Sequence, residues 1–144
     1  MKCKRSVALM ALVITLMLVS VAMVQAKKPF RFEVEGSPIP KGWIATITSG
    51  IFTGYTMYWY QPIVEFKNGN VYFFEEWWIE DGNGKEILRG YDEGVTRMKN
   101  GKFIGNGKVT YAMEGYEHLI GLKEQCEGTV DFDTMTFTGT IQIN

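Results

Sequence analysis

Three carboxylates stand where the alternation of their neighbours calls for an apolar side chain. Glu75 falls between Phe73 and Trp77, Asp92 lies in the next strand-like run, and Glu124 follows Ile120 and Leu122 and precedes Cys126. A buried unpaired charge is expensive, so such a group turns neutral, finds a partner or faces a wet cavity. Two carboxyls held together raise one pKa and share a proton, which is how a general acid or base working near neutral pH is made. Glu75, Asp92 and Glu124 are therefore the candidate catalytic residues. Two other readings stay open: near a rim, water solvates Asp92 and Glu124, and a β-bulge reverses the alternation and turns them outward. Pro62 cannot donate to a sheet ladder and marks a candidate break beside Glu75.

Other chemistries lack their residues. His118 is the single histidine, which leaves a histidine-rich metal site and a Ser-His-Asp triad without support. Asp81-Gly82-Asn83-Gly84-Lys85 imitates the start of a calcium loop, but Lys85 replaces a ligand and Glu86 stands where the loop requires glycine. Cys126 has no histidine placed by sequence to activate it and reads as a small buried residue. No glycine-rich phosphate loop opens a helix. No metal and no cofactor are expected.

The elements that position these groups are strands. Asn68-Gly69 and Asn100-Gly101 each separate two strand-like runs, and Asn-Gly favours a two-residue type I′ hairpin turn. Asp81-Gly82-Asn83-Gly84 and Asp133-Thr134 supply two more turns. Eight strands follow, over 30–35, 43–51, 55–66, 71–80, 86–98, 102–113, 120–131 and 135–143, with one helical turn at most, around Gly115–Ile120. An antiparallel meander of eight closes into a barrel whose interior fits side chains or one small ligand. The fold class is thus all-β, a single antiparallel eight-stranded barrel preceded by an N-terminal signal peptide or anchor helix.

The turns fix a register. Asn68-Gly69 sets Phe66 opposite Val71, Val64 opposite Phe73, Pro62 opposite Glu75 and Tyr60 opposite Trp77. Asn100-Gly101 sets Met98 opposite Phe103 and Asp92 opposite Val109. With side chains alternating between faces, Tyr58, Tyr60, Phe73, Trp77 and Tyr111 point inward and form the candidate ligand-binding set, with Val64, Phe66, Met98, Ile120 and Phe132 on the same face. Gly90, Gly94, Gly105 and Gly107 share that face, where they either bend the sheet or leave room. Outside, Trp59 pairs with Trp78 and Ile63 with Phe74, next to Tyr72, Ile87 and Tyr91. An exposed apolar patch of this kind marks an interface. Trp59, Ile63, Tyr72, Phe74 and Trp78 are the candidate self-association surface, with sugar stacking or cover by the N-terminal segment as alternatives.

Composition agrees with an exported domain. Of 144 residues 46% are apolar and 22% charged, enough for a core. Lys2, Lys4 and Arg5 precede an apolar run from Val7 to Val24, and Val24-Gln25-Ala26 places small residues for a cut after Ala26. Residues 1–26 are read as a secretory signal peptide, or as an uncleaved anchor that gives the domain its only membrane contact. Residues 27–144 form the barrel domain, secreted or held outside the cytoplasm. They carry twelve Lys/Arg against sixteen Asp/Glu, so a nucleic acid partner is not expected. Cys126 is their single cysteine, which leaves no intramolecular disulfide.

Gly105-Asn106-Gly107-Lys108-Val109-Thr110, then Ala112, Gly115-Tyr116, Leu119 and Gly121, with Gly128-Thr129 and Phe137-Thr138-Gly139-Thr140 as a final hairpin, resemble the C-terminal half of allene oxide cyclase and dirigent-like barrels. The likeness covers about 40 residues. It implies an eight-stranded barrel, often trimeric, with an apolar cavity that binds or steers a hydrophobic small molecule. It places none of that family's catalytic residues on this chain. Three functions follow. The first is binding of a small apolar or aromatic molecule. The second is a cofactor-independent isomerase or cyclase using the carboxylates. The third is a structural, self-associating surface protein.

Overall fold

Turn chemistry decides how the chain folds back on itself. In the computed structural model, which describes residues 29–144, Asn68 and Gly69 both have positive φ, 53° and 74°. That is the type I′ geometry that Asn-Gly favours, and it pairs Phe66 with Val71 and Val64 with Phe73 as expected. Asn100-Gly101 behaves differently. Only Gly101 takes positive φ, 70°, and its N–H donates to Arg97 O at 2.8 Å, so the loop spans Met98–Gly101. Phe103 then faces Thr96 rather than Met98, and Asp92 faces Gly107 rather than Val109. A slip of two residues keeps every side chain on its face.

The eight strands are β1 (Phe30–Ile39), β2 (Gly42–Ile47), β3 (Thr56–Lys67), β4 (Asn70–Glu80), β5 (Glu86–Arg97), β6 (Lys102–Ala112), β7 (Lys123–Asp131) and β8 (Thr136–Ile143). Each pairs antiparallel with the next, and β1 closes on β8, giving a barrel with no free edge. One 3₁₀ turn, Glu117–Leu119, stands where the helical turn was expected. The signal peptide or anchor reading lies outside the described residues. β1 runs past Val34 to Ile39 and sits between β2 and β8, so it does not lie over the outer aromatic patch.

Three bulges correct the expected faces. Between the pairs Tyr60–Glu76 and Ile63–Phe74, β3 carries Gln61 and Pro62 against Glu75 alone. The extra residue reverses the alternation before it, so Trp59 and Met57 point in while Tyr58 and Tyr60 point out. The expected pairs Pro62–Glu75, Tyr60–Trp77 and Trp59–Trp78 are replaced by Trp59–Trp77 and Tyr58–Trp78. In β6 the pairs Gly90–Val109 and Arg89–Tyr111 leave Thr110 over, which turns Tyr111 outward and Ala112 inward. In β5 the pairs Ile79–Leu88 and Glu80–Glu86 leave Ile87 over, and Ile87 is buried rather than exposed. Val64, Phe66, Met98, Ile120 and Phe132, expected inside, are exposed because they stand in the turns or past the rim.

Antiparallel connections alternate between the two ends of the barrel. The far end, with the β2–β3, β4–β5 and β6–β7 connections, is sealed. Phe52 from the first connection and Leu119 from the 3₁₀ turn are fully buried against Phe32, Ile47, Met57, Ile79, Leu88 and Ile143. The ring of Phe52 meets Phe32 edge-on at 5.8 Å. The other end, with the β1–β2, β3–β4, β5–β6 and β7–β8 turns, is the mouth.

Candidate functional site

All three carboxylates face the interior. Exposure is 5% at Glu75, 0% at Asp92 and 1% at Glu124. They lie in one row across four strands, because Glu75 pairs with Asp92, Asp92 with Gly107, and Gly107 with Glu124. Gly107 contributes no side chain between Asp92 and Glu124, and the two carboxyls meet over it. Gly105, one position nearer the mouth, pairs with Cys126. A Cβ there would stand 2.6 Å from Cys126 Sγ and 3.3 Å from Asp92 Cγ, so glycine is what lets thiol and carboxyl meet. Gly90, Gly94, Gly128 and Gly139 likewise lie under the rings of Trp77, Phe73 and Phe103. The room that the inward glycines leave is filled by aromatic rings and by the carboxyl row.

The β3 bulge supplies a fourth polar group. It turns Gln61 inward, where Nε2 donates to Glu75 Oε2 at 2.7 Å. Cys126 Sγ donates to Asp92 Oδ2 at 3.5 Å, a weak bond from a thiol. No cation among the described residues pairs with the row; the one ion pair found there is Arg89–Glu86, on the surface at 2.6 Å.

Burial without a counter-charge decides the protonation states. Desolvation drives the Glu75 carboxyl well above the ordinary range, and the neighbouring Asp92 charge adds to the rise. Desolvation, then the Asp92 charge, pushes Glu124 up to about 10. Asp92 is also raised by desolvation, but hydrogen bonds from Glu75, Cys126 and Glu124 pull it back down. The Cys126 thiol is driven well up, mainly by burial. As carboxylates, Asp92 Oδ1 and both Glu124 oxygens would have no donor. With Glu124 a neutral acid, it supplies the missing proton and donates to Asp92. Within the row Asp92 is thus the acceptor, and Glu75, Glu124 and Cys126 hold their protons against it.

Above the row is a funnel. Trp43, Trp59, Phe73, Phe103 and Phe137 wall it, Glu75, Gln61 and Cys126 line its base, and it opens at the mouth. Its empty volume is about 430 Å³ with the part open to solvent included. Water centres have about 40 Å³ of it to occupy, room for two or three waters. The ring of Phe137 contacts Trp43 at 5.3 Å, Trp59 at 5.5 Å and Phe103 at 6.1 Å. A larger molecule would have to displace these rings. Donor atoms of Glu75, Asp92 and Cys126 lie within 4.8 Å of one another, so these three residues could hold a metal ion only by giving up their protons.

Of the expected ligand-binding residues, Phe73 lines the funnel and Trp77 is buried beneath it. Tyr58, Tyr60 and Tyr111 are on the outside, removed by the bulges in β3 and β6. Of the expected interface residues, Trp59 is in the core at 4% exposure, for the same reason. Ile63 and Tyr72 are exposed, and Phe74 and Trp78 are half-buried. The outer strip is completed by Tyr58, stacked on Trp78 at 5.1 Å, and by Tyr91, stacked on Phe74 at 6.0 Å. Sequence reasoning missed Trp43 and Gln61 as funnel residues, while Phe103, set on the inner face by the sequence, lines the funnel. Pro62 was the signal for Gln61, since a proline in mid-strand points to a bulge.

Compared with protein-family models, curated proteins and solved structures, the chain matches none.

Proposed function

We propose that this barrel binds a small, mostly apolar or aromatic molecule at its mouth, with a polar group of the molecule turned toward Gln61 and Glu75. The observation that carries this reading is a buried carboxyl, its pKa driven up by desolvation and bonded to Gln61, at the base of a funnel walled by aromatic rings. Such a pocket, apolar with a few convergent polar groups, is the usual form of a small-molecule site. A protonated acid there avoids the desolvation cost that an anion would impose, and the Gln61 amide beside it supplies a donor. Residues 1–26 extend the proposal: their basic start and apolar run support an exported domain. The outer strip of Tyr58, Trp78, Phe74 and Tyr91 is proposed as a self-association surface.

A second reading is favoured by the proton-sharing row. In an isomerase or cyclase, Glu75 would protonate the bound molecule, and the carboxylate so formed would take back the proton that the molecule loses from carbon, while Asp92 and Glu124 keep the rest of the row's protons in place.

Native mass spectrometry of residues 27–144, purified without detergent, tests the binding reading. The expected result is a retained small molecule lost on denaturation, and weaker retention in Trp43→Ala. An empty mass, with no binding of a panel of small aromatic alcohols and ketones, overturns it. Glu75→Gln then separates the two readings. The amide still donates a hydrogen bond but passes no proton, so a binder keeps its affinity and a catalyst loses turnover.

A further inference from the structure

The two ends of the barrel differ in charge. At the mouth, residues 39–42, 67–70, 97–102 and 131–136 hold five lysines or arginines and two aspartates. At the far end, residues 47–56, 80–86 and 112–123 hold five carboxylates and two lysines. The domain is acidic overall, yet five of its twelve lysines and arginines stand round one opening. Lys67, Lys99 and Lys102 are all exposed there.

The mouth also carries its own apolar side chains. Phe66 is 67% exposed at the tip of the β3–β4 hairpin and Phe132 40% exposed in the β7–β8 turn. Met98 projects between them from the β5–β6 loop. These side chains stand on separate turns, with lysines among them. Spaced apolar tips ringed by lysines suit a fluid surface, in which each tip sinks among acyl chains while the lysines meet acidic headgroups.

We propose that the mouth of the barrel docks on an anionic lipid bilayer. Docking in this pose sets the funnel opening against the acyl boundary, where apolar molecules collect. The contact itself needs no ligand in the funnel, so its test is separate from that of the binding reading.

Residues 27–144 are sedimented with vesicles of phosphatidylcholine alone and with one-third phosphatidylserine. Binding to the mixed vesicles only, weakened by raised salt, is expected. Lys67→Ala with Lys99→Ala lowers the partition coefficient roughly thirtyfold. Phe66→Ser lowers it by roughly a further tenfold. Lys85→Ala, at the far end, changes it little. Absence of binding to the mixed vesicles by the folded protein overturns the proposal. So does binding that the mouth variants leave unchanged. A dimer in solution that Phe66→Ser breaks, with no vesicle binding, overturns it in favour of a second copy of the chain.

Discussion

The same strands build two unlike halves of one interior. Toward the far end the barrel is filled to completion by Phe52, Leu119, Met57, Ile79, Leu88 and Ile143, all fully buried. Toward the mouth the inward positions alternate between glycine and large rings, and a carboxyl row crosses the middle. Trp77 marks the seam: its ring lies over Gly90, and its Nε1–H is buried without an acceptor. The sealed half can hold the fold without staples, which frees the mouth half to carry buried acids and empty space that a core under tighter demands would exclude.

Paired substitutions break that comparison if it is wrong. Phe52→Ala removes a fully buried ring from the sealed half and should cost about 3–5 kcal/mol in urea unfolding. Phe103→Ala removes a half-buried ring beside empty space and should cost clearly less. Equal losses would mean that both halves carry the fold alike.

The next effect concerns the carboxyl row and pH. Glu124 is held to about 10 in the folded protein, by burial first and the Asp92 charge second. A glutamate in the unfolded chain ionises near pH 4.3. Between those values the unfolded chain has released a proton that the folded protein retains. Stability is therefore greatest below the unfolded pKa and falls as pH rises, by up to about 1.4 kcal/mol per pH unit for this group. Glu75, raised in the same direction, adds to the slope. The denaturation midpoint should be lower at pH 8 than at pH 5. Glu124→Gln should flatten the difference and stabilise the protein at pH 8 by about 1–4 kcal/mol. A midpoint that rises with pH would show the row ionised in the fold.

The smallest effect on stability is expected outside. Tyr58→Ser with Trp78→Ser removes a stacked pair from the surface and the ring beneath the Arg89 guanidinium, which sits 5.6 Å away. The cost should be about 1 kcal/mol. Sedimentation should nonetheless show a drop in solution mass, and an unchanged mass would remove the strip as a self-association surface.

Much of the fold was legible because hairpins are local. Asn68-Gly69 fixed its turn from two residues, and the row Glu75, Asp92, Glu124 stood out because each broke a period-two pattern. Tyr58, Tyr60, Trp59 and Tyr111 were misplaced for a reason of equal simplicity. Facing is inherited along a strand, and one extra residue reverses everything beyond it. Pro62 hinted at the first reversal. Nothing in the residues around Thr110 marks the second, which falls just past the last β6–β7 pair, Lys108–Lys123.

The sequence by itself determined the strands and their order, and marked the three carboxylates as breaks in an apolar alternation, since alternation and turn chemistry act within a few residues. Only the closed barrel decided that those carboxylates touch, because their neighbourhood runs across four strands and depends on glycines at Gly105 and Gly107 facing them. It also decided that the tyrosines leave the interior, that Gln61 enters it, and that lysines scattered along the chain gather around one mouth. Each of these is a relation between distant segments, and it exists only once the sheet has closed.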